Sequence, residues 1–204
     1  MYLTFSVVAS DSAEGSITYR SVTEKPMQFF KHFLTITRHR HQVIAHAAKA
    51  GILWQGLWHD MSKYSPTEFI PGAKYYRGTE SPNVQERREL GYSKAWLHHK
   101  GRNRHHFEYW TDYSVIEKRI VPVKMPLRYV AEMFCDRVAA SKIYNGESYT
   151  DADSINYFLR GKEKRFIHPE TSDFLEKLLV MLRDEGEDAT FAYLRRMVKE
   201  KKEY

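Results

Sequence analysis

Leu127-Arg128-Tyr129-Val130-Ala131-Glu132-Met133-Phe134-Cys135-Asp136-Arg137-Val138 is the stretch that decides the fold. Its apolar residues Leu127, Val130, Ala131, Phe134 and Val138 stand at i, i+3, i+4, i+7 and i+11. Residues three and four apart share one face of a helix, so the spacing predicts an amphipathic helix over 127–144. Pro122 and Pro126 flank a short connection that leads into it.

Working outward, the chain keeps this character. Downstream, Phe174, Leu175, Leu178, Leu179 and Leu182 mark one helix, and Phe191, Leu194 and Val198 mark another that ends in a basic tail. Upstream, Phe29, Phe33, Ile36, Val43 and Ala47 keep helical spacing from about Pro26 to Ala50. Thr23 is placed to cap that helix, Pro26 suits its first turn, and Gly51 ends it. A short Leu- and Trp-rich helix follows over 52–61, and Ser65-Pro66-Thr67-Glu68 starts another with Pro66 at its first position. Pro71-Gly72 through Pro82 reads as a loop, 84–100 as one helix ended by Gly101, and 104–113 as helix again.

These segments predict an all-α protein: one helical domain of seven or eight helices over residues 24–204, after an irregular arm over residues 1–23. The arm is rich in Ser and Thr, and Tyr2-Leu3-Thr4-Phe5-Ser6-Val7 alternates as a single strand or a loose tail would.

Composition supports a packed core: 42% of the 204 residues are hydrophobic and 14% aromatic. The single cysteine, Cys135, excludes an internal disulfide and a cysteine-rich zinc site. No apolar run approaches the roughly 20 residues that span a bilayer, and Leu3 to Ala9 is too short for a secretory signal. A cytoplasmic protein with no membrane partner is the expectation. The net charge of +6 suits an anionic partner but steers weakly.

Histidine is the unusual residue. Eight of the ten fall between 39 and 106: His39, His41, His46, His59, His98, His99, His105 and His106. His59-Asp60 closes an apolar run, where an ionised aspartate needs a cation or several donors to be tolerated. A divalent metal would serve, with imidazole nitrogen and carboxylate oxygen as neighbouring ligands. The plainer alternative is that Asp60 caps the next turn, since Ser62 and Ser65 also mark a helix boundary. His32, His39 and His46 form a heptad stripe on one helix face, and His41 points elsewhere.

The order of these pieces resembles the HD-domain superfamily of metal-dependent phosphohydrolases. His39 with Val43 four residues on, the segment Leu57-Trp58-His59-Asp60-Met61-Ser62-Lys63, and the late Asp136-Arg137-Val138 are similar to that family's motifs. The resemblance implies that His39, His59, Asp60 and Asp136 bind one metal ion. Members with two ions take further histidines from the interval before the last Asp, where His98, His99, His105 and His106 lie. Adjacent histidines on a helix point about 100° apart, so one of each pair faces a given ion. On this reading His98, His99 and His105 are candidate ligands and His106 contacts substrate. A second carboxylate such as Glu108 would orient a ring. The stretch also resembles a family of small, functionally uncharacterised bacterial and phage proteins, some labelled catalase, though no haem-ligand signature supports that label.

The implied chemistry is hydrolysis of a small phosphorylated substrate by water activated on one or two divalent ions (Mn, Fe, Co, Ni, Zn or Mg). Asp60 would be ligand and proton acceptor, and Lys63, Arg102 and Arg104 would neutralise phosphate oxygens. Tyr64, Tyr75 and Tyr76 are candidates for the pocket wall. Two other readings stand beside it. One is a di-iron oxygenase of HD type. The other, less favoured, is a nucleic-acid-binding protein with a structural metal, using Lys100, Arg102, Arg104 and the tail Lys199 to Lys202.

Overall fold

In the computed structural model, which describes residues 28–204, the 127–144 segment is the central helix of an all-α domain. Eight α-helices run through the described residues: α1 Phe29–Ala50, α2 Leu53–Trp58, α3 Pro66–Tyr75, α4 Pro82–Leu90, α5 Lys94–Lys100, α6 Leu127–Asn145, α7 Ala152–Leu159 and α8 Pro169–Glu200. One antiparallel hairpin, β1 Thr111–Ser114 with β2 Arg119–Pro122, pairs Thr111 with Pro122 and Ser114 with Arg119. Among the described residues no helix is long and apolar enough to cross a membrane.

α1, α6 and α8 pack against one another, with α7 against α8 and α6. Val43 and Ala47 of α1 meet Val130, Phe134 and Val138 of α6 and Leu175, Leu178, Leu179 and Leu182 of α8, all fully buried. Each such Val, Leu or Phe side chain contributes about 1.5–3 kcal/mol through lost contact with water. α1 also carries α2 and α3, and α3 carries α4 and α5.

The close seating of α2 on α1 depends on Gly56. A Cβ there would stand 2.4 Å from Ala47 Cβ. Gly72 allows a similar approach of α3, where a Cβ would meet His32 Nε2 at 2.2 Å.

Several boundaries differ from the sequence expectation. Pro71-Gly72 does not open a loop; α3 continues through both to Tyr75, because packing on α1 and α5 outweighs the hydrogen bond that Pro71 removes. The 84–100 segment is two helices: Gly91 turns left-handed (φ 80°) and donates to Arg87 O, and Ser93 Oγ then accepts from Trp96 N to cap α5. The 104–113 segment is a 3-10 turn followed by β1, not a helix. The two C-terminal helices are the halves of α8, which bends at Gly186 (φ 81°, ψ 177°). The expected cap at Thr23, the residue Pro26, and the arm with its strand at Tyr2–Val7 lie outside the described residues.

Candidate metal centre

α1, the turn after α2, the end of α5, the loop behind it and α6 each direct a side chain into one buried space. His39 enters from the third turn of α1. α2 ends at Trp58, and Asp60 then takes a left-handed backbone (φ 53°, ψ 23°), which an L-residue adopts only at some cost. That twist turns His59 and Asp60 inward together. Asp60 precedes the 3-10 turn Met61–Tyr64 but makes no side-chain cap to it, so the plainer capping role does not account for its carboxylate.

The two Asp60 oxygens face different sets of donors. Oδ2 lies 3.2 Å from His59 Nε2 and 4.0 Å from His39 Nε2. Asp136 Oδ1 completes this group at 3.0 Å from His39 Nε2 and 3.4 Å from His59 Nε2. Oδ1 of Asp60 lies 3.2 Å from His99 Nε2 and 3.5 Å from His105 Nε2. His106 joins this second group, its Nε2 2.9 Å from that of His99. In each group the ligating atoms lie within 4.8 Å of one another.

These contacts are mostly not hydrogen bonds. His59 Nε2, His105 Nε2 and Asp60 Oδ1 are buried without a hydrogen-bond partner, and Asp60 Oδ2 has only the Lys63 ammonium beside it. Unpaired buried polar atoms are expensive, and three converging on one space are compatible with a metal ion as the shared partner. The spacings fit: ligands about 2.1 Å from a common ion stand about 3.0 Å apart at octahedral corners and about 3.4 Å apart at tetrahedral ones.

Carboxylates behind the rings fix which nitrogen faces inward. Glu132 Oε1 accepts from His59 Nδ1 at 2.9 Å and lies 3.2 Å from His105 Nδ1. Gln55 Nε2 donates to the other Glu132 oxygen. Glu68 accepts from His99 Nδ1 at 2.7 Å and from His98 Nδ1 at 2.6 Å. With Nδ1 protonated in this way, the Nε2 lone pairs of His59, His99 and His105 point at the centre.

The electrostatics agree. Burial opposes charge on His59, yet the neighbouring Asp60, Asp136 and Glu132 carboxylates hold it well above the usual imidazole range, so a proton competes with a metal ion for its Nε2. Burial would push the Asp60 carboxyl up, but His59, Lys63 and His99 hold it well below the carboxylate range. The same opposition, with His39 and His59 as partners, leaves Asp136 well below its ordinary value. Lys63 Nζ sits 2.6 Å from Asp60 Oδ2 and is held in its charged form. Asp60, Asp136, Glu132 and Glu68 outnumber that one ammonium, so the space favours positive charge.

The structure thus brings together seven of the residues singled out in the sequence: His39, His59, Asp60, Lys63, His99, His105 and Asp136. His98 is not among the converging side chains. The 100° step along α5 turns its ring to Glu68, while His99 points inward. His106, expected at substrate, stands in the second ligand group. Arg102 and Arg104 are exposed and line a different cleft, which touches the centre only through His105 and Glu132. Glu108 bonds none of the histidines; Glu132 and Glu68 hold the rings instead. Tyr64 and Tyr76 share hydrogen bonds with Thr37 and Thr35 on α1, and Tyr75 donates to Glu89. His32 packs by Gly72, His46 is in the core, and His41 is exposed. Glu132 could have been found in the sequence, since it lies one helical turn before Asp136 on the same helix.

Comparison with known proteins adds a family and no chemistry. Neither a search of curated proteins nor one of solved structures finds a match. One family model, described as a family of unknown function (DUF5662), matches residues 28–181, a span that includes both ligand groups and the carboxylates behind them. The chain belongs to that family.

Proposed function

We propose that this chain is a metal-dependent hydrolase of phosphate esters, of the HD-domain type, with two divalent ions sharing Asp60. The observation that carries the reading is the division of the Asp60 carboxylate, one oxygen toward His39, His59 and Asp136 and the other toward His99, His105 and His106. The imidazole-rich donor set suits Zn, Fe, Co, Ni or Mn and disfavours Mg, which prefers oxygen ligands and retained water. Ions held there would acidify a water molecule and neutralise charge on a phosphoryl group.

The protein's own groups have separable tasks. Glu132 and Glu68 hold the rings so that each presents Nε2. Asp60 is enclosed, with both oxygens committed, whereas the Asp136 side chain is 18% exposed. We therefore assign the proton-accepting role to Asp136 rather than Asp60. Lys63, 30% exposed and anchored on Asp60, stands where a phosphate oxygen would meet it from solvent.

The test is metal analysis of the purified protein, followed by a screen of nucleotides, phosphomonoesters and phosphodiesters. The reading expects two ions per chain and a metal-dependent hydrolysis that Asp136→Ala abolishes. Two bound ions with no phosphoester hydrolysed, together with oxygen consumption, would replace it with a di-iron oxygenase.

A further inference from the structure

Behind the metal centre, on the far side of His105 and Glu132, the surface opens into a cleft of about 420 Å³. Trp54 and Trp58 stand on its wall 79% and 74% exposed, although each ring carries a large apolar face. Two tryptophans left this open beside one cleft mark a contact surface. Arg102, Arg104 and Arg128 surround them.

These arginines are anchored but not neutralised. Arg102 donates to His98 O, Arg104 to the Tyr129 hydroxyl and Arg128 Nε to Gln55 Oε1 at 2.8 Å. Among the described residues no carboxylate lies within ion-pair distance of any of the three. The one acid in the cleft, Glu132, has both oxygens engaged by His59, His105 and Gln55. The cleft therefore offers several free guanidinium N–H groups and two aromatic faces, its one carboxylate turned toward the metal centre.

A second depression of about 820 Å³ continues from it, sharing Trp54, Gln55 and Arg128 and adding Lys124, Lys201, Lys202 and Glu203. Together they form one trough in which Lys124 is paired with Glu170 and Lys202 with Glu200, so Arg102, Arg104, Arg128 and Lys201 are its cations without an ion-pair partner among the described residues.

We propose that this trough binds single-stranded nucleic acid, its phosphates on Arg102, Arg104 and Arg128 and its unpaired bases on Trp54 and Trp58. Stacking on exposed indole faces needs bases free of a complementary strand, and guanidinium groups match phosphate oxygens in pairs. A duplex hides those faces, so the trough selects against it. The proposal does not depend on the hydrolase reading, because none of the trough's arginines or tryptophans belongs to either ligand group.

The test is anisotropy of a labelled 12-nucleotide single strand titrated with the full chain, alongside quenching of tryptophan fluorescence. Three phosphate contacts predict a slope of about −2 in log affinity against log salt. Arg102→Ala/Arg104→Ala/Arg128→Ala should weaken binding at least about 30-fold and flatten the slope. Trp54→Ala and Trp58→Ala should each weaken it about 5–10-fold with the slope kept. All variants should retain the wild-type metal content and circular dichroism, and stripping metal should leave strand affinity unchanged. Absence of binding at low salt would overturn the proposal, as would equal binding by the triple variant. Equal affinity for a duplex of the same length would also overturn it, as would displacement by an acidic polypeptide with no response to the tryptophan variants.

Discussion

Oε1 of Glu132 accepts the Nδ1 proton of His59 across 2.9 Å, from inside α6 and one turn away from Asp136. Because the same oxygen also reaches His105 Nδ1 at 3.2 Å, one carboxylate sets the tautomer of a ring in each ligand group. Glu132→Ala should lower metal affinity about 10–100-fold, as loss of such supporting carboxylates does elsewhere. Titration against a chelating competitor would measure it. Unchanged affinity would mean that Glu132 is only a packing partner.

Stoichiometry separates the two groups. His39→Ala and His106→Ala should each reduce the metal content from two ions to one, and Asp60→Asn should remove both. Native mass spectrometry counts ions per chain directly. If His106→Ala retained two ions, the second group would have to be redrawn without it.

Gly56 sets how closely the His59 turn approaches His39. Gly56→Ala would gain about 1 kcal/mol of helix propensity, but the added methyl would stand 2.4 Å from Ala47 Cβ. Overpacking of this kind costs about 1–3 kcal/mol, so the melting temperature should fall. Metal affinity should drop with it. A thermal melt at or above the wild-type temperature would contradict the close seating of α2 on α1.

His46 provides a pH-dependent term from outside the two ligand groups. Its Nδ1 donates to Cys135 O at 3.3 Å, its other nitrogen meets the Gln42 amide, and burial pushes it down to about 4 from an ordinary 6.5. The folded state therefore binds fewer protons than the unfolded one between those values. Stability is complete above pH 6.5 and declines as the pH falls toward 4, by about 3 kcal/mol from this group. His32, pushed down to about 4 chiefly by burial, acts with the same sign. Urea unfolding of His46→Gln at pH 7 and pH 4.5 should show a smaller pH loss than wild type. An equal loss would assign the effect to other groups.

The sequence revealed what short-range periodicity controls. The faces of α1, α6 and both halves of α8 could be read from apolar spacing, and His39, His59, Asp60 and Asp136 from their order. It concealed what tertiary contact decides. α3 runs through Pro71-Gly72 because three neighbouring helices hold it, and α7 is too short to show a period. His98 and His99 cannot be separated by spacing alone; the Glu68 carboxylate, 30 residues away in the chain, receives both and leaves only His99 facing inward. The trough escaped notice because Trp54, Trp58 and Arg128 lie on segments about 70 residues apart that meet only after folding.

The left-handed backbone at Asp60 bears on motion as well as geometry. A residue held at φ 53° stays there only while its surroundings insist on it, and the 3-10 turn that follows, Met61–Tyr64, has no buried residue of its own. Residues 59–64 are thus tethered by side chains at the centre rather than by a core beneath them. When those tethers loosen, amide protons in this segment should exchange with solvent before those of α1 or α6, so the turn would be the door through which the buried centre opens.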